Sequence, residues 1–122
     1  MKVLVCGSRK WLDQGAIMRE LAKLPDGTIV VHGACRGADN IAGYVAGELL
    51  GFVVRAYPAP WERFGKRAGI LRNQMMLKKE HLDDEPIDKV LAFHKELAIG
   101  GGTADMVRRA EAAGIPVEVF TR

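Results

Sequence analysis

With 122 residues, 48% of them hydrophobic and 27% charged, the chain has the make-up of one globular domain (1–122) that buries about two-thirds of its unfolded surface. No apolar run approaches the roughly 20 residues of a membrane span, and MKVLVCGSRKW turns polar too early for a secretory signal; no membrane partner is expected, and the cytoplasm is the expected compartment. The net charge of +3 is uneven: positions 61–80 hold Arg63, Lys66, Arg67, Arg72, Lys78 and Lys79 against only Glu62 and Glu80, which suits either phosphates or a solvated helix face.

Taken in order, 2–6 (KVLVC) is a β-branched run that predicts a buried strand, followed by a turn at Gly7-Ser8-Arg9. Positions 11–24 carry helical spacing through Leu12, Ile17, Leu21 and Leu24, stopped by Pro25-Asp26-Gly27. The second strand, 28–32 (TIVVH), runs into the glycine-bracketed turn GACRG. A helix over 38–50 follows, with Ile41, Val45 and Leu49 facing a sheet and Gly43 and Gly47 marking close backbone packing. Strand three is 52–57 (FVVRAY), and PAPWERFGKRAG reads as a long loop. A helix over 69–81 comes next. Its inward face is either Leu71, Met75 and Leu82 or Ile70, Asn73 and Leu77. After the breaker DDEP, 87–93 is strand four, HKELAIGGGT a loop, 104–113 a helix ended by Gly114, and 115–120 strand five. This alternation predicts an α/β fold with a parallel sheet covered on both faces.

In such a sheet every strand-to-helix loop lies at the carboxyl edge. Those loops are GSRKW, HGACRGAD, PAPWERFGKRAG and HKELAIGGGT, and they hold the conspicuous glycine, arginine, histidine and tryptophan residues. The stretch VVHGACRGAD (30–39) is strand, glycine turn and helix start in succession, which aims backbone N–H groups at an anion. Gly100, Gly101, Gly102 and Thr103 open a second helix in the same way, and Thr103 is placed either to cap it or to bond a phosphate. Arg36, like Ser8 and Arg9, is either a phosphate ligand or an ordinary surface residue. Asp39 and Asp105, in first helical turns, serve either to balance the helix dipole or to meet a ribose and act as a base at a glycosidic bond, with Arg72 as the cation. Trp61 either stacks on a base or packs under its loop. His32, Cys6, Cys35 and His94 fall near strand ends but lack ligand spacing, so neither a metal nor a cofactor is expected. No dinucleotide-binding G-x-G-x-x-G follows strand one.

Four stretches, GSRKW, HGACRGAD, WERFGKRAGILRNQMM and GGGTADMVRRAEAAGIPV, occur in an order that resembles the YspA-related branch of the SLOG superfamily, the Rossmann-like group that includes the Smf/DprA and Lonely-guy proteins. The resemblance spans nearly the whole chain. It implies a Rossmann-like three-layer sandwich on a five-stranded parallel sheet, a nucleotide or nucleotide-derived ligand in a glycine-lined pocket, and a homodimer. The implied ligand contacts are Gly7, Ser8, Arg9, His32, Gly33, Arg36, Gly37, Asp39, Trp61, Arg72, Asn73, Gly100, Gly101, Gly102 and Thr103. Lonely-guy proteins release a base from a nucleoside monophosphate with a P-G-G-x-G-T-x-x-E motif. Here the glycines and Thr103 match, Met106 occupies the glutamate position, and Asp105 lies one residue earlier, about 100° around a helix. Arg72 matches the family's helix arginine. The catalytic candidates are therefore Asp105, Arg72 and Asp39, and phosphate binding carries over better than catalysis. A non-catalytic nucleotide sensor and a single-stranded nucleic-acid binder are the alternatives.

Overall fold

The β-branched runs form five strands: β1 (Lys2–Gly7), β2 (Ile29–His32), β3 (Val53–Ala56), β4 (Lys89–Phe93) and β5 (Val117–Phe120). The computed structural model describes residues 1–96 and 101–122. All strand pairs are parallel, in the order β3-β2-β1-β4-β5. Side chains alternate between the two faces, as the pleat requires. Val3, Val5, Val30, Leu91 and Phe93 pack with α1 (Gln14–Leu21) and α2 (Ala38–Tyr44). Leu4, Cys6, Val31, Val90 and Ala92 pack on the other face with α4 (Ala68–Leu77) and α5 (Gly101–Ala112). This is the expected Rossmann-like sandwich. Its winding reverses at β1, with β2 and β3 on one side and β4 and β5 on the other, and that reversal opens a crevice at the carboxyl ends of β1 and β4. No helix among the described residues is long and apolar enough to cross a membrane.

Several elements depart from their sequence signatures for identifiable reasons. α1 starts at Gln14 because the Asp13 carboxylate accepts from Ala16 N–H at 3.0 Å and caps it. Leu12 therefore precedes the helix and is 87% exposed, while Trp11 is buried against Phe93. α2 passes into a π-helical turn at Val45–Leu49, which shifts the inward face: Ala38, Ala42, Val45 and Ala46 are buried and Leu49 is exposed. PAPWERFGKRAG is not one loop; α3 (Trp61–Phe64) and a 3₁₀ turn (Gly65–Arg67) lie within it. The last helix begins at Gly101, so GGT belongs to its first turn, and Gly100 falls outside the described residues.

The largest departure is α4, where the first stripe turns its Met75 outward and the second faces inward only in part: Asn73 is buried and Leu77 packs against the second core cluster, but Ile70 is exposed. Ala68, Gly69, Arg72, Asn73 and Met76 are buried, while Ile70 and Met75 are exposed. A π-helical turn, Lys78–Leu82, extends this helix and buries Glu80. There Lys2 Nζ lies 3.1 Å from Glu80 Oε1 and donates to Asp84 Oδ2 at 3.0 Å and to the Glu80 and Glu85 carbonyls. Arg55 donates to Glu80 Oε1 at 2.7 Å, and the Tyr57 hydroxyl donates to Oε2. Burial opposes the Glu80 carboxylate, but the hydrogen bonds from Tyr57, Arg55 and Lys2 prevail and hold its pKa below the ordinary value. Tyr57 is pushed up to about 12 by burial and by the Glu80 charge. This cluster pins the carboxyl end of α4 to β1 and β3. Because Glu80→Ala leaves the buried Lys2 ammonium under-compensated, it should cost about 3 kcal/mol in urea denaturation at neutral pH.

Candidate functional site

The crevice between the ends of β1 and β4 is a cavity of about 590 Å³, within the range of small-molecule sites. Five segments wall it. β1 and the turn after it contribute Gly7, Ser8 and Arg9. The turn after β2 contributes Gly33, with Asp39 from α2; α3 contributes Trp61; α4 contributes Arg72 and Asn73; and the start of α5 contributes Gly101, Gly102, Thr103 and Asp105. Twelve of the expected site residues thus meet around one space.

At its floor Gly33 lies between two opposite charges. Its N–H donates to Asp39 Oδ2 at 2.9 Å, and its carbonyl accepts from Arg72 Nη1. A Cβ at Gly33 would lie 2.6 Å from Arg72 Cζ and 2.9 Å from Asp39 Oδ2, so no side chain fits. Arg72 also donates from Nε to Asn73 Oδ1 at 2.9 Å and from Nη1 to the Tyr57 carbonyl at 3.4 Å, and both Nη atoms lie 3.7 Å from Cys35 Sγ. Only 7% of Arg72 is exposed, yet no carboxylate oxygen among the described residues lies within 4.0 Å of it. A buried guanidinium without a counter-charge is energetically costly and is relieved by an anion.

The anion that the HGACRG turn cradles is the chain's own. The buried Asp39 carboxylate folds back onto the Gly33 and Cys35 amides. Burial raises its pKa to about 6, against the lowering pull of Arg72, those two amides and Arg9. Ala34 in this turn is the one non-glycine residue among those described with positive φ, at 58°. Its N–H donates to His32 Nδ1 at 2.9 Å. The His32 ring points away from the cavity into the α2 face, where a Cβ at Gly43 would lie 2.6 Å from Nε2; burial and then Arg72 lower its pKa. Gly37 (φ 79°) caps α2 and packs against the Ser8 and Arg9 backbone, where a Cβ would lie 2.7 Å from the Arg9 carbonyl carbon. Arg36 is exposed and lines a shallower hollow of about 280 Å³ that shares Arg9, Gly33, Cys35 and Trp61 with the main cavity.

Asn73 completes the opposite wall. Its amide donates to the Gly102 carbonyl at 3.1 Å and to Asp105 Oδ2 at 3.0 Å, and Arg109 Nε donates to the same oxygen at 2.8 Å. Asp105 is thereby engaged within the protein. Met106, at the Lonely-guy glutamate position, is buried in the second core cluster at the cavity wall. Thr103 lines the cavity, is 9% exposed, and its hydroxyl has no hydrogen-bond partner among the described residues. At the mouth the Arg9 guanidinium lies 5.2 Å from the Trp61 ring centroid.

Cys6, Cys35, Gly69, Ile70, Met76, His94 and Arg108 also line the cavity and were not among the expected ligand contacts. Arg108 had a legible signal, being one helical turn beyond Asp105. Burial, then the Asp39 charge, raise the Cys6 thiol pKa, with Arg72 opposing. No group of three or more potential metal ligands occurs among the described residues.

The Asp39 shift has a signed consequence. Its folded pKa of about 6 exceeds its unfolded value of 3.8, so the native state holds the extra proton between those values and loses stability as pH rises through them. Asp39→Asn removes that loss. Relative to the parent protein, the variant should gain up to about 3 kcal/mol between pH 4 and pH 7, read by urea denaturation at both ends.

Residues 1–64 match the family described as YspA, cpYpsA-related SLOG. The chain is also 41% identical over 127 residues to the Gene 61 protein of Mycobacterium phage D29, an alignment covering 98% of this chain and 95% of the phage protein. No solved structure matches. With the parallel sheet, the crevice at its switch point and these two likenesses together, the chain belongs to the YspA, cpYpsA-related SLOG family.

Proposed function

We propose that this protein binds a nucleotide or nucleotide-derived ligand at the carboxyl edge of its sheet. The observation that carries this reading is the buried, carboxylate-free Arg72 guanidinium beside the cavity. Across from it are the Thr103 hydroxyl, which has no hydrogen-bond partner among the described residues, and the start of the 12-residue helix α5. A phosphate seated between them would receive a charged hydrogen bond, a hydroxyl and the positive end of a helix dipole. The turn 33–37 is the less favourable phosphate seat, because Asp39 already takes the Gly33 and Cys35 amides and His32 that of Ala34. Trp61, half-exposed under Arg9, would stack on the base, and Asp39, a cavity-lining carboxyl that feels the Arg72 charge, would contact ribose. The homodimer implied by the resemblance belongs to this reading and is checked by sedimentation.

A nucleoside monophosphate at 100 times its dissociation constant should add about 2.7 kcal/mol of stability, roughly a 10 °C rise in Tm. Arg72→Met should weaken that ligand by about tenfold or more, the worth of a hydrogen bond to a charged group. A panel of nucleotides that leaves Tm unchanged would sink the proposal.

One observation favours chemistry in the same site. A buried carboxyl with a pKa of about 6 holds and releases a proton near neutrality. On this reading Asp39 protonates the departing base as the C–N bond breaks, and water adds to the anomeric carbon and gives its proton back to the Asp39 carboxylate, leaving free base and ribose phosphate. Asp105, whose Oδ2 is held by Asn73 and Arg109, organises the wall instead. Chromatography of nucleoside monophosphates incubated with the protein should show free base, and Asp39→Asn should abolish it. If ligand stabilises the protein and no base appears, the protein is a nucleotide sensor.

A further inference from the structure

α3 contributes nothing to the core. None of its four residues is buried, yet it carries two large aromatic rings, Trp61 at 44% and Phe64 at 42% exposure. Each ring has a guanidinium on it: Arg9 Cζ lies 5.2 Å from the Trp61 centroid, and Arg63 Cζ lies 5.2 Å from that of Phe64. Trp61 lines the cavity, whereas Phe64, one helical turn further along, is not among its lining residues. Exposed Arg36 and Arg67 add positive charge on the same edge, and Glu62 is the one acidic residue of α3.

A single nucleotide has one base and uses one of these rings. Side chains at i and i+3 on a helix are neighbours, about 5–6 Å apart at Cβ, so the second arginine-backed ring is a place for a second base. Exposed aromatic faces in a cationic surround are how proteins hold single strands, since any base can stack and the backbone follows the charge. We propose that the ligand is the end of a single-stranded polynucleotide: its terminal nucleotide enters the cavity with its base on Trp61, and the next base stacks on Phe64. The proposal rests on the nucleotide reading of the cavity and extends it from a free nucleotide to a strand end.

The test compares a nucleoside monophosphate with a short single-stranded oligonucleotide by calorimetry at low and raised salt, with the terminal phosphate at the 5′ or the 3′ end in separate arms. The oligonucleotide should bind more tightly, by roughly 5- to 150-fold for one added stacked base, and its affinity should fall with salt. Phe64→Ala, an exposed position, should remove that advantage and leave the mononucleotide unchanged, while Arg72→Met should weaken both. Absence of mononucleotide binding alone sinks the preceding reading. An oligonucleotide that binds no tighter than the mononucleotide, or whose affinity Phe64→Ala leaves unchanged, overturns this one; tight, salt-sensitive but Phe64-independent binding marks non-specific attraction and counts against it.

Discussion

A guanidinium buried without a carboxylate partner is the constraint around which the site is built. Arg72 donates to the Gly33 carbonyl, the Asn73 amide oxygen and the Tyr57 carbonyl, which satisfy its hydrogen bonds but bring no opposite charge. Asp39 is close enough to feel that charge but does not pair with it, because the Gly33 backbone stands between them and binds each separately. Two desolvated opposite charges are thus held apart by one glycine at the floor of the cavity. A side chain at position 33 would occupy the space of both groups.

Holding Arg72 there depends on polar packing far from the cavity. The inward face of α4 is nearly all small or polar: Ala68, Gly69, Arg72 and Asn73 toward the site, and Glu80 at its far end. Tyr57 ties the two ends together, its hydroxyl on Glu80 and its carbonyl on Arg72. The ion cluster of Lys2, Arg55, Glu80 and Asp84 supplies at one end of the helix what apolar contacts supply elsewhere in the core. Asp84, exposed and bonded to the Glu85 amide, Lys2 and Arg55, is held to a pKa of about 2, so the outer part of the cluster stays charged through the physiological range.

The wall opposite differs from the Lonely-guy motif at two adjacent residues. Met106 fills the core, while Asp105, one position earlier, reaches Asn73 and Arg109. A step of one residue on a helix turns a side chain by about 100°, enough to convert a group facing the ligand into one bonding its neighbours. The carboxyl left with a raised pKa in this site is Asp39, on the other side of the switch point.

The strands and the sorting of glycine and arginine onto one sheet edge were legible from sequence, because pleat alternation and turn chemistry are local and act within a few residues. HGACRGAD likewise marked a place where backbone amides meet an anion, the chain's own Asp39 carboxylate. Local periodicity misled wherever desolvation outweighed it. α4 shows Ile70 and Met75 to solvent because its partners are Gly33, 39 residues away from Arg72, and Asp105, 32 residues away from Asn73. His32 read as a ligand contact, yet its ring fills the gap left by Gly43. The cradle in VVHGACRGAD read as a phosphate seat, yet it holds Asp39. Sequence alone determined which groups reach the carboxyl edge. Only the tertiary structure decided which of them are desolvated and which are paired, because burial and charge pairing depend on contacts between segments far apart in the chain.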